Sequence, residues 1–261
     1  AIRRGTKVPE SATEVFAVEE STAGSGTLPL DIIPTIGFAP DWGFVIRNII
    51  SGSRGSVLPY IGTRLTGYGK SLLTDRSNAE GNATIYAFDT SDAPLVGDAG
   101  GANDPGAENI HWLWKRAPNF FDVVAYTGTG SVMTVSHNLG VAPEMMWVKC
   151  RSNTKDWAVY HSDVGATNEL RLNATSPSFG TTAWNNTAPT DSVFTLGVLG
   201  RVNSAVSEDY IAYLFASLDG ISKVGSYTGT GATLNIDCGF TSGARFVLIR
   251  RTDAGGQWFI F

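Results

Sequence analysis

The sequence has little of what metal proteins and disulfide-stabilised proteins require. Its 261 residues include two cysteines and three histidines. Two cysteines, Cys150 and Cys238, are too few for a disulfide framework in a chain of this length, so we interpret each as a free buried thiol. No CxxC, HxxxH or HxH pair occurs, and a metal site would need such convergent ligands. We therefore expect neither a metal nor a cofactor.

Long apolar runs and a strong positive charge are also missing. The longest apolar runs, such as 210–215 and 246–249, have the length of a strand, whereas a membrane-spanning helix needs about 20 residues. The net charge of −5 excludes the basic stripe that is typical of nucleic-acid binders. The first residues, Ile2, Arg3 and Arg4, are followed by polar residues, which does not resemble a secretory signal. We expect no nucleic-acid binding and no membrane insertion.

What the sequence does contain is typical of β-sheet proteins. Thr, Val, Gly, Ser and aromatic residues dominate, and no segment keeps apolar residues at helical spacing for three turns. Short apolar or alternating stretches are separated by clusters of Gly, Asn, Asp, Ser and Pro. The pattern predicts an all-β chain with strands at 44–47, 145–149, 157–160, 169–172, 192–196, 210–216 and 245–250.

The pentapeptide Tyr-Thr-Gly-Thr-Gly occurs twice, at 126–130 and at 227–231. A P-loop would continue with Lys-Ser/Thr, and a dinucleotide fingerprint would need a third glycine that opens a helix. Neither follows, because the next residues after the first copy are Ser-Val-Met and then a short strand. We interpret the motif as a tight hairpin in which glycine supplies a positive φ.

Two longer blocks show that this recurrence extends over about 100 residues. The segment 110–126 aligns without a gap with 211–227, so that aromatic residues meet aromatic residues. A second block begins at Gly37, Gly140 and Gly239, and consists of a turn, an apolar strand and a basic residue. Repetition at a fixed spacing predicts a tandem array of structural modules.

The predicted fold is a tandem array of jelly-roll-like β-sandwich modules of about 100 residues, the last one incomplete. The third module is either truncated, with the chain continuing beyond Phe261, or completed by a neighbouring chain. Half a sandwich would otherwise expose an apolar face and a free strand edge. The predicted boundaries are an N-terminal arm or linker at 1–13, a diverged module 1 at 14–121, module 2 at 122–222, and the start of module 3 at 223–261.

The residues that could carry catalysis do not form a recognisable set. His111, His137 and His161 occupy positions that no other module repeats, so we interpret them as structural. Asp156 and Asp209 could act as the carboxylate pair of a glycosidase, although each is also typical of a polar residue at the start of a strand. No nucleophile elbow is present. We expect a protein that is not an enzyme.

Aromatic residues offer the strongest candidates for binding. Trp184 is flanked by Asn185 and other polar residues, and a loop tryptophan beside amides suits stacking on a sugar ring. Trp157, beside Asp156, is a second candidate for contact with a glycan. The alternative is that Trp184 closes the open end of the module core.

Seven segments carry a specific motif string, at 114–130, 135–145, 156–161, 193–197, 210–216, 225–231 and 244–249. They resemble an uncharacterised repeat-module family of virion structural proteins from tailed bacteriophages. That resemblance implies a tail-fibre or tail-appendage protein of the virion, made in the host cytoplasm, with other virion proteins as partners and a role in assembly and host attachment. It also implies no catalytic residue. The low charge and the faces rich in Thr, Asn and Gly suit packing against identical neighbours, so we expect a symmetric homo-oligomer, and family habit is compatible with a trimer. A carbohydrate-recognising receptor-binding protein, a capsid decoration protein and a polysaccharide depolymerase are the alternatives.

Overall fold

Strands account for almost all of the regular structure. A computed structural model describes residues 7–22, 33, 35–48, 59–88, 94–97, 108–204 and 207–261. Within these residues the only helical elements are a short 3-10 turn, Ala12–Glu14, and a four-residue helix α1, Gly200–Asn203. The strands are β1 (Phe16–Thr22), β2 (Trp42–Asn48), β3 (Tyr60–Thr63), β4 (Leu72–Leu73), β5 (Tyr86–Ala87), β6 (Leu95–Val96), β7 (Glu108–Trp114), β8 (Phe121–Thr127), β9 (Met133–Ser136), β10 (Met145–Cys150), β11 (Ala158–His161), β12 (Asn168–Arg171), β13 (Phe179–Gly180), β14 (Val193–Leu196), β15 (Asp209–Phe215), β16 (Leu248–Arg250) and β17 (Trp258–Ile260).

Two large antiparallel sheets have the same strand order. The first runs β1-β7-β2-β3-β4, and the second runs β8-β15-β10-β11-β12-β13. The registers also correspond, because Phe44 on β2 lies opposite Ile61 and Trp147 on β10 lies opposite Val159. We call β1 to β7 the first repeat, β8 to β15 the second repeat, and β16 with β17 the third repeat. The module boundaries predicted from the sequence stay a prediction.

The inner faces of the two large sheets pack against each other and form one central core. This core contains Trp42, Phe44 and Trp112 from the first repeat together with Trp147 and Tyr213 from the second. Because side chains alternate along a strand, the residues between these point to the outer face of each sheet. The all-β sandwich is thereby confirmed, but its central core is shared between repeats and is not the private core of one module.

Each outer face is covered by a two-stranded sheet from the same repeat. Residues of β5 and β6 share a core with the outer face of the first sheet, and residues of β9 and β14 share one with the second. Each covering layer has one position at which only glycine fits, because a carbonyl oxygen lies too close for a Cβ atom. A Cβ on Gly97 would lie 2.1 Å from the carbonyl oxygen of Thr84, and one on Gly197 would lie 1.9 Å from that of Thr182. The eight described strands of the second repeat form one sheet of six strands and one sheet of two. This differs from the predicted jelly-roll arrangement, in which the two sheets are of equal size.

The third repeat adds a pair of strands to the central core. In that pair Leu248 lies opposite Ile260, at the positions that Phe44 and Ile61 take in the first repeat. The ring of Phe246, which precedes β16, lies 5.2 Å from the ring of Trp114. Corresponding strand pairs from all three repeats therefore converge on the same core.

The first Tyr-Thr-Gly-Thr-Gly motif connects two different sheets, so the predicted hairpin is wrong. It links β8, which pairs with β15, to β9, which pairs with β14. The positive φ is present, at 70° for Gly130 and 75° for Gly231. The buried amide oxygen of Asn203 accepts hydrogen bonds from the backbone N–H groups of Thr129, at 2.8 Å, and Gly130, at 3.2 Å. The loop amides are thus bound by the protein itself.

Candidate interaction site on the third repeat

Adjacent repeats are joined by a tryptophan hydrogen bond that occurs twice. Trp157 Nε1 of the second repeat donates to the carbonyl oxygen of Leu73 in the first at 2.9 Å. Trp258 Nε1 of the third repeat donates to the carbonyl oxygen of Arg171 in the second, also at 2.9 Å. Leu73 ends β4 and Arg171 ends β12, so the two acceptors occupy corresponding positions. The third repeat docks on the second as the second docks on the first.

Backbone hydrogen bonds repeat in the same way beside each tryptophan. We call residues 73–80 and 171–178, which accept the next repeat, the acceptor segments. Each of the two junctions has two further backbone hydrogen bonds of 2.9 Å. They run from Lys155 N to Ser77 O and from Glu80 N to Arg151 O at the first junction, and from Gly256 N to Thr175 O and from Ser178 N to Thr252 O at the second.

A basic side chain strengthens each junction. Lys149 Nζ donates to the carbonyl oxygens of Cys150 at 2.8 Å and Ser77 at 3.2 Å. The side chain is fully buried, and this burial lowers the pKa of Lys149 from 10.5 to about 8. At the corresponding position of the third repeat, Arg250 donates to the carbonyl oxygens of Ala174 and Ser176. Both side chains stabilise an acceptor segment by donating hydrogen bonds to its carbonyl groups.

A cavity of about 290 Å³ lies where the three repeats meet. Its walls include Phe44 from the first repeat, Trp147 from the second, and Leu248, Trp258 and Ile260 from the third. These residues belong to the central core or pack directly against it. The cavity also borders both acceptor segments, through residues such as Thr74 and Asn173, and its lining is mainly apolar.

The outer face of the third repeat differs from that of the second in exposure. Tyr160 on β11 is 4% exposed, and its ring lies 5.7 Å from Trp184 in an edge-on contact. Phe261 follows β17 at the corresponding position and is 70% exposed. Likewise Ala158 is fully buried while Phe259 is 55% exposed. The third repeat thus presents aromatic side chains at positions that the second repeat covers.

The strand β16 is also less covered than its counterpart β10. All residues from 146 to 150 are buried, whereas all residues from 246 to 250 are partly exposed. In the described part of the chain β16 pairs only with β17. The free edge of β16 and the adjoining outer face are therefore the best candidate for an interaction site.

The tryptophans predicted to stack on a sugar are both fully buried, so this prediction is wrong. The Nε1 of Trp184 donates to the carbonyl oxygen of Asn168 at 3.0 Å, and its ring belongs to the outer core of the second repeat. Trp184 is thus part of this core and has no accessible ring face. Trp157 lies in the central core. Asn185, which follows Trp184 in the chain, is exposed, with a φ of 50°.

The three histidines have structural surroundings. In His111, Nε2 lies 2.7 Å from Ser21 Oγ and Nδ1 lies 2.9 Å from Tyr86 Oη, and burial lowers the pKa to about 3. Burial also lowers the pKa of His137 and of His161. The backbone N–H two residues further on donates to Nδ1 in both of these. Each ring therefore supports local backbone or core structure.

The two aspartates considered as a glycosidase pair are bound to separate partners. Asp156 accepts a hydrogen bond from Asn173 at 2.9 Å and forms an ion pair with Arg171. Asp209 accepts from Thr127 at 3.1 Å. The structure gives them no common partner, and neither lines the central cavity.

Both cysteines are free, as predicted. Cys150 is buried, but Cys238 is partly exposed, which differs from the expected burial. No group of three or more His, Cys, Asp or Glu side chains that could hold a metal ion occurs among the residues that the structure describes. In the same residues, none of the helices has the length and apolar character required to traverse a bilayer.

Residues 16–261 match a family described as a domain of unknown function (DUF7483). No curated protein and no solved structure matches the chain. Because the match covers nearly the whole sequence, the chain belongs to this family.

Proposed function

We propose that the protein is a non-catalytic structural component of a tailed-bacteriophage particle, of the tail-fibre or tail-appendage type. In this role it assembles with other virion proteins, and with further copies of itself, and takes part in attachment to the host. The sequence resemblance described above supports this assignment. It is also supported by the polar side chains that form hydrogen bonds at the junctions between repeats.

The observation that carries the proposal is the repeated junction between repeats. Trp157 and Trp258 donate to corresponding carbonyl oxygens, and the flanking backbone hydrogen bonds recur with them. A head-to-tail contact that is used twice is a device for building an assembly from similar units. Lys149 and Arg250, which would be candidates for chemistry elsewhere, are occupied in the same junctions.

The two tryptophans that were the strongest candidates for contact with a sugar are not accessible to one. Trp184 and Trp157 are buried in cores, and stacking on a sugar requires an accessible ring face. The carboxylate pair of a depolymerase would need both groups in one groove, but Asp156 and Asp209 are held by different neighbours. Assembly is therefore the role that the described residues support best.

The test is to locate the protein on purified particles of the phage that encodes it. An antibody fragment raised against the folded chain would be imaged on intact particles by electron microscopy. Label on the tail or its appendages would support the proposal, and label on the capsid surface would favour capsid decoration instead. If washed particles contain no copy of the chain by mass spectrometry, the structural assignment is wrong.

A further inference from the structure

We propose that the two acceptor segments are cation-binding sites of different selectivity, the first for an alkylammonium group and the second for a guanidinium group. Lys149 and Arg250 occupy these sites, and they are the residues that match each docking repeat to its own acceptor segment. Both sites lie inside the chain, so this selectivity holds whether or not the protein belongs to a phage particle.

The two acceptor segments can be aligned by the backbone hydrogen bonds that they accept. Lys155 N donates to Ser77 O and Gly256 N donates to Thr175 O, both at 2.9 Å. Each donor lies two residues before the tryptophan of its junction. Ser77 and Thr175 are therefore corresponding residues, and we call their carbonyl groups the central carbonyls.

Lys149 contacts the central carbonyl of the first acceptor segment. Its Nζ donates to Ser77 O at 3.2 Å and to the carbonyl oxygen of Cys150, in its own strand, at 2.8 Å. The side chain of Lys149 is fully buried. An ammonium group suits this site because it is a compact point charge. The larger, planar guanidinium group would have to displace buried neighbours.

Arg250 contacts the carbonyls on either side of the central one. Its Nη1 donates to Ala174 O and its Nη2 donates to Ser176 O. The two arms of the guanidinium group therefore straddle Thr175. The guanidinium carbon also lies 5.2 Å from the centre of the Trp258 ring. A forked, planar cation satisfies both carbonyls and the ring at once, whereas a single ammonium nitrogen cannot.

The first repeat, which occupies neither acceptor segment in this way, has no cation at the corresponding position. The register of the strand pairs aligns Arg250 with Ile46, an apolar side chain that packs against the central core. The same register aligns Trp258 with Pro59, which has no side-chain donor. A basic residue is thus present in the two repeats that dock on an acceptor segment and absent from the one that does not.

The test is chemical rescue of two variants that lack the cation. Lys149→Ala removes a propylammonium group and Arg250→Ala removes an ethylguanidinium group, so these two ions, added as chlorides to the complete chain, are the probes. The solution is kept at pH 7, because burial lowers the pKa of Lys149 to about 8 and the parent side chain is charged below that value. Amide hydrogen exchange at Lys155 and at Gly256 measures the opening of the first and the second junction.

We expect each variant to exchange at least about tenfold faster at its own junction, because hydrogen bonds from a charged group are lost. Propylammonium should slow the exchange of Lys155 in Lys149→Ala, since it fills the vacated site, whereas ethylguanidinium at the same concentration should not. The opposite should hold for Gly256 in Arg250→Ala. The parent chain, in which both sites are filled, is the control and should respond to neither ion.

Charge-conserving variants provide a second measurement that does not depend on rescue and remains available if an alanine variant does not fold. Arg250→Lys and Lys149→Arg keep the positive charge and change only its shape, so each should also speed exchange at its own junction. The proposal is wrong if either ion rescues both alanine variants equally, or if neither ion rescues its own variant. It is also wrong if both charge-conserving variants exchange like the parent chain.

Discussion

The second and third repeats place corresponding strands on the same central core but differ in what covers their outer sides. In the second repeat β10 is paired on both edges, and Tyr160 packs beneath Trp184. In the third, β16 has one partner, and Phe261 is 70% exposed. The two repeats have the same junction and the same kind of inner face, and they differ in the layer that covers the outer face. Docking of a repeat thus depends on its inner face and not on a complete sheet.

The largest expected effect tests whether the two junctions are equally important. Trp157→Ala removes a fully buried ring and a hydrogen bond, and should lower the free energy of unfolding by about 3–5 kcal/mol. Trp258→Ala should cost about 1–2 kcal/mol, since its ring is partly exposed and each buried CH₂ contributes only about 0.8 kcal/mol. Urea unfolding of both variants measures the difference.

Trp157→Phe is the matched control for this comparison. It keeps most of the apolar contact and removes the indole donor, so it should cost less than the alanine variant. Equal losses for Trp157→Ala and Trp258→Ala would show that partial covering does not weaken the second junction.

A smaller effect tests the outer faces. Tyr160→Ala removes a ring that packs against Trp184 and should cost about 3 kcal/mol. Phe261→Ala changes the corresponding exposed ring and should remain within about 0.5 kcal/mol of the parent chain. Thermal unfolding of the two variants provides the measurement. A large loss for Phe261→Ala would mean that this side chain is covered in solution.

The last effect is a gradual one, the pH dependence of the junctions. The folded pKa of Lys149, about 8, is below its ordinary 10.5, so between these values the unfolded chain binds more protons and stability rises with pH. The slope is at most about 1.4 kcal/mol per pH unit. Lys149→Met should remove this rise in denaturant unfolding across that interval, while the exposed Lys223→Met should retain it. A rise that persists unchanged in Lys149→Met would contradict the assignment.

Much of the fold could be predicted from the sequence because apolar and polar residues alternate locally along the strands. The predicted strand at 145–149 is β10, and 210–216 coincides with β15 to within one residue at each end. The pairing of aromatic positions between the two copies also agrees with the registers. Period-two patterns survive folding because one face of each strand must be buried.

The candidate site could not be predicted in the same way, since burial depends on distant segments. Trp184 has polar neighbours in sequence, which suggested an exposed loop, but Tyr160 on another strand covers it. The hairpin assigned to the motif at 126–130 was wrong for the same reason: its two flanking strands pair with β15 and β14 and not with each other. Local composition contains no information about either partner.

The junction has a consequence for how freely the repeats can diverge. In the tryptophan hydrogen bond the donor is a specific side chain, but the acceptor is a main-chain oxygen, which belongs to the aliphatic Leu73 at one junction and to the charged Arg171 at the other. Natural variation can therefore replace the side chain of the accepting residue without removing the oxygen to which the following tryptophan donates. Repeats joined in this way can diverge at the accepting residue, because a main-chain oxygen is present whichever side chain that residue carries.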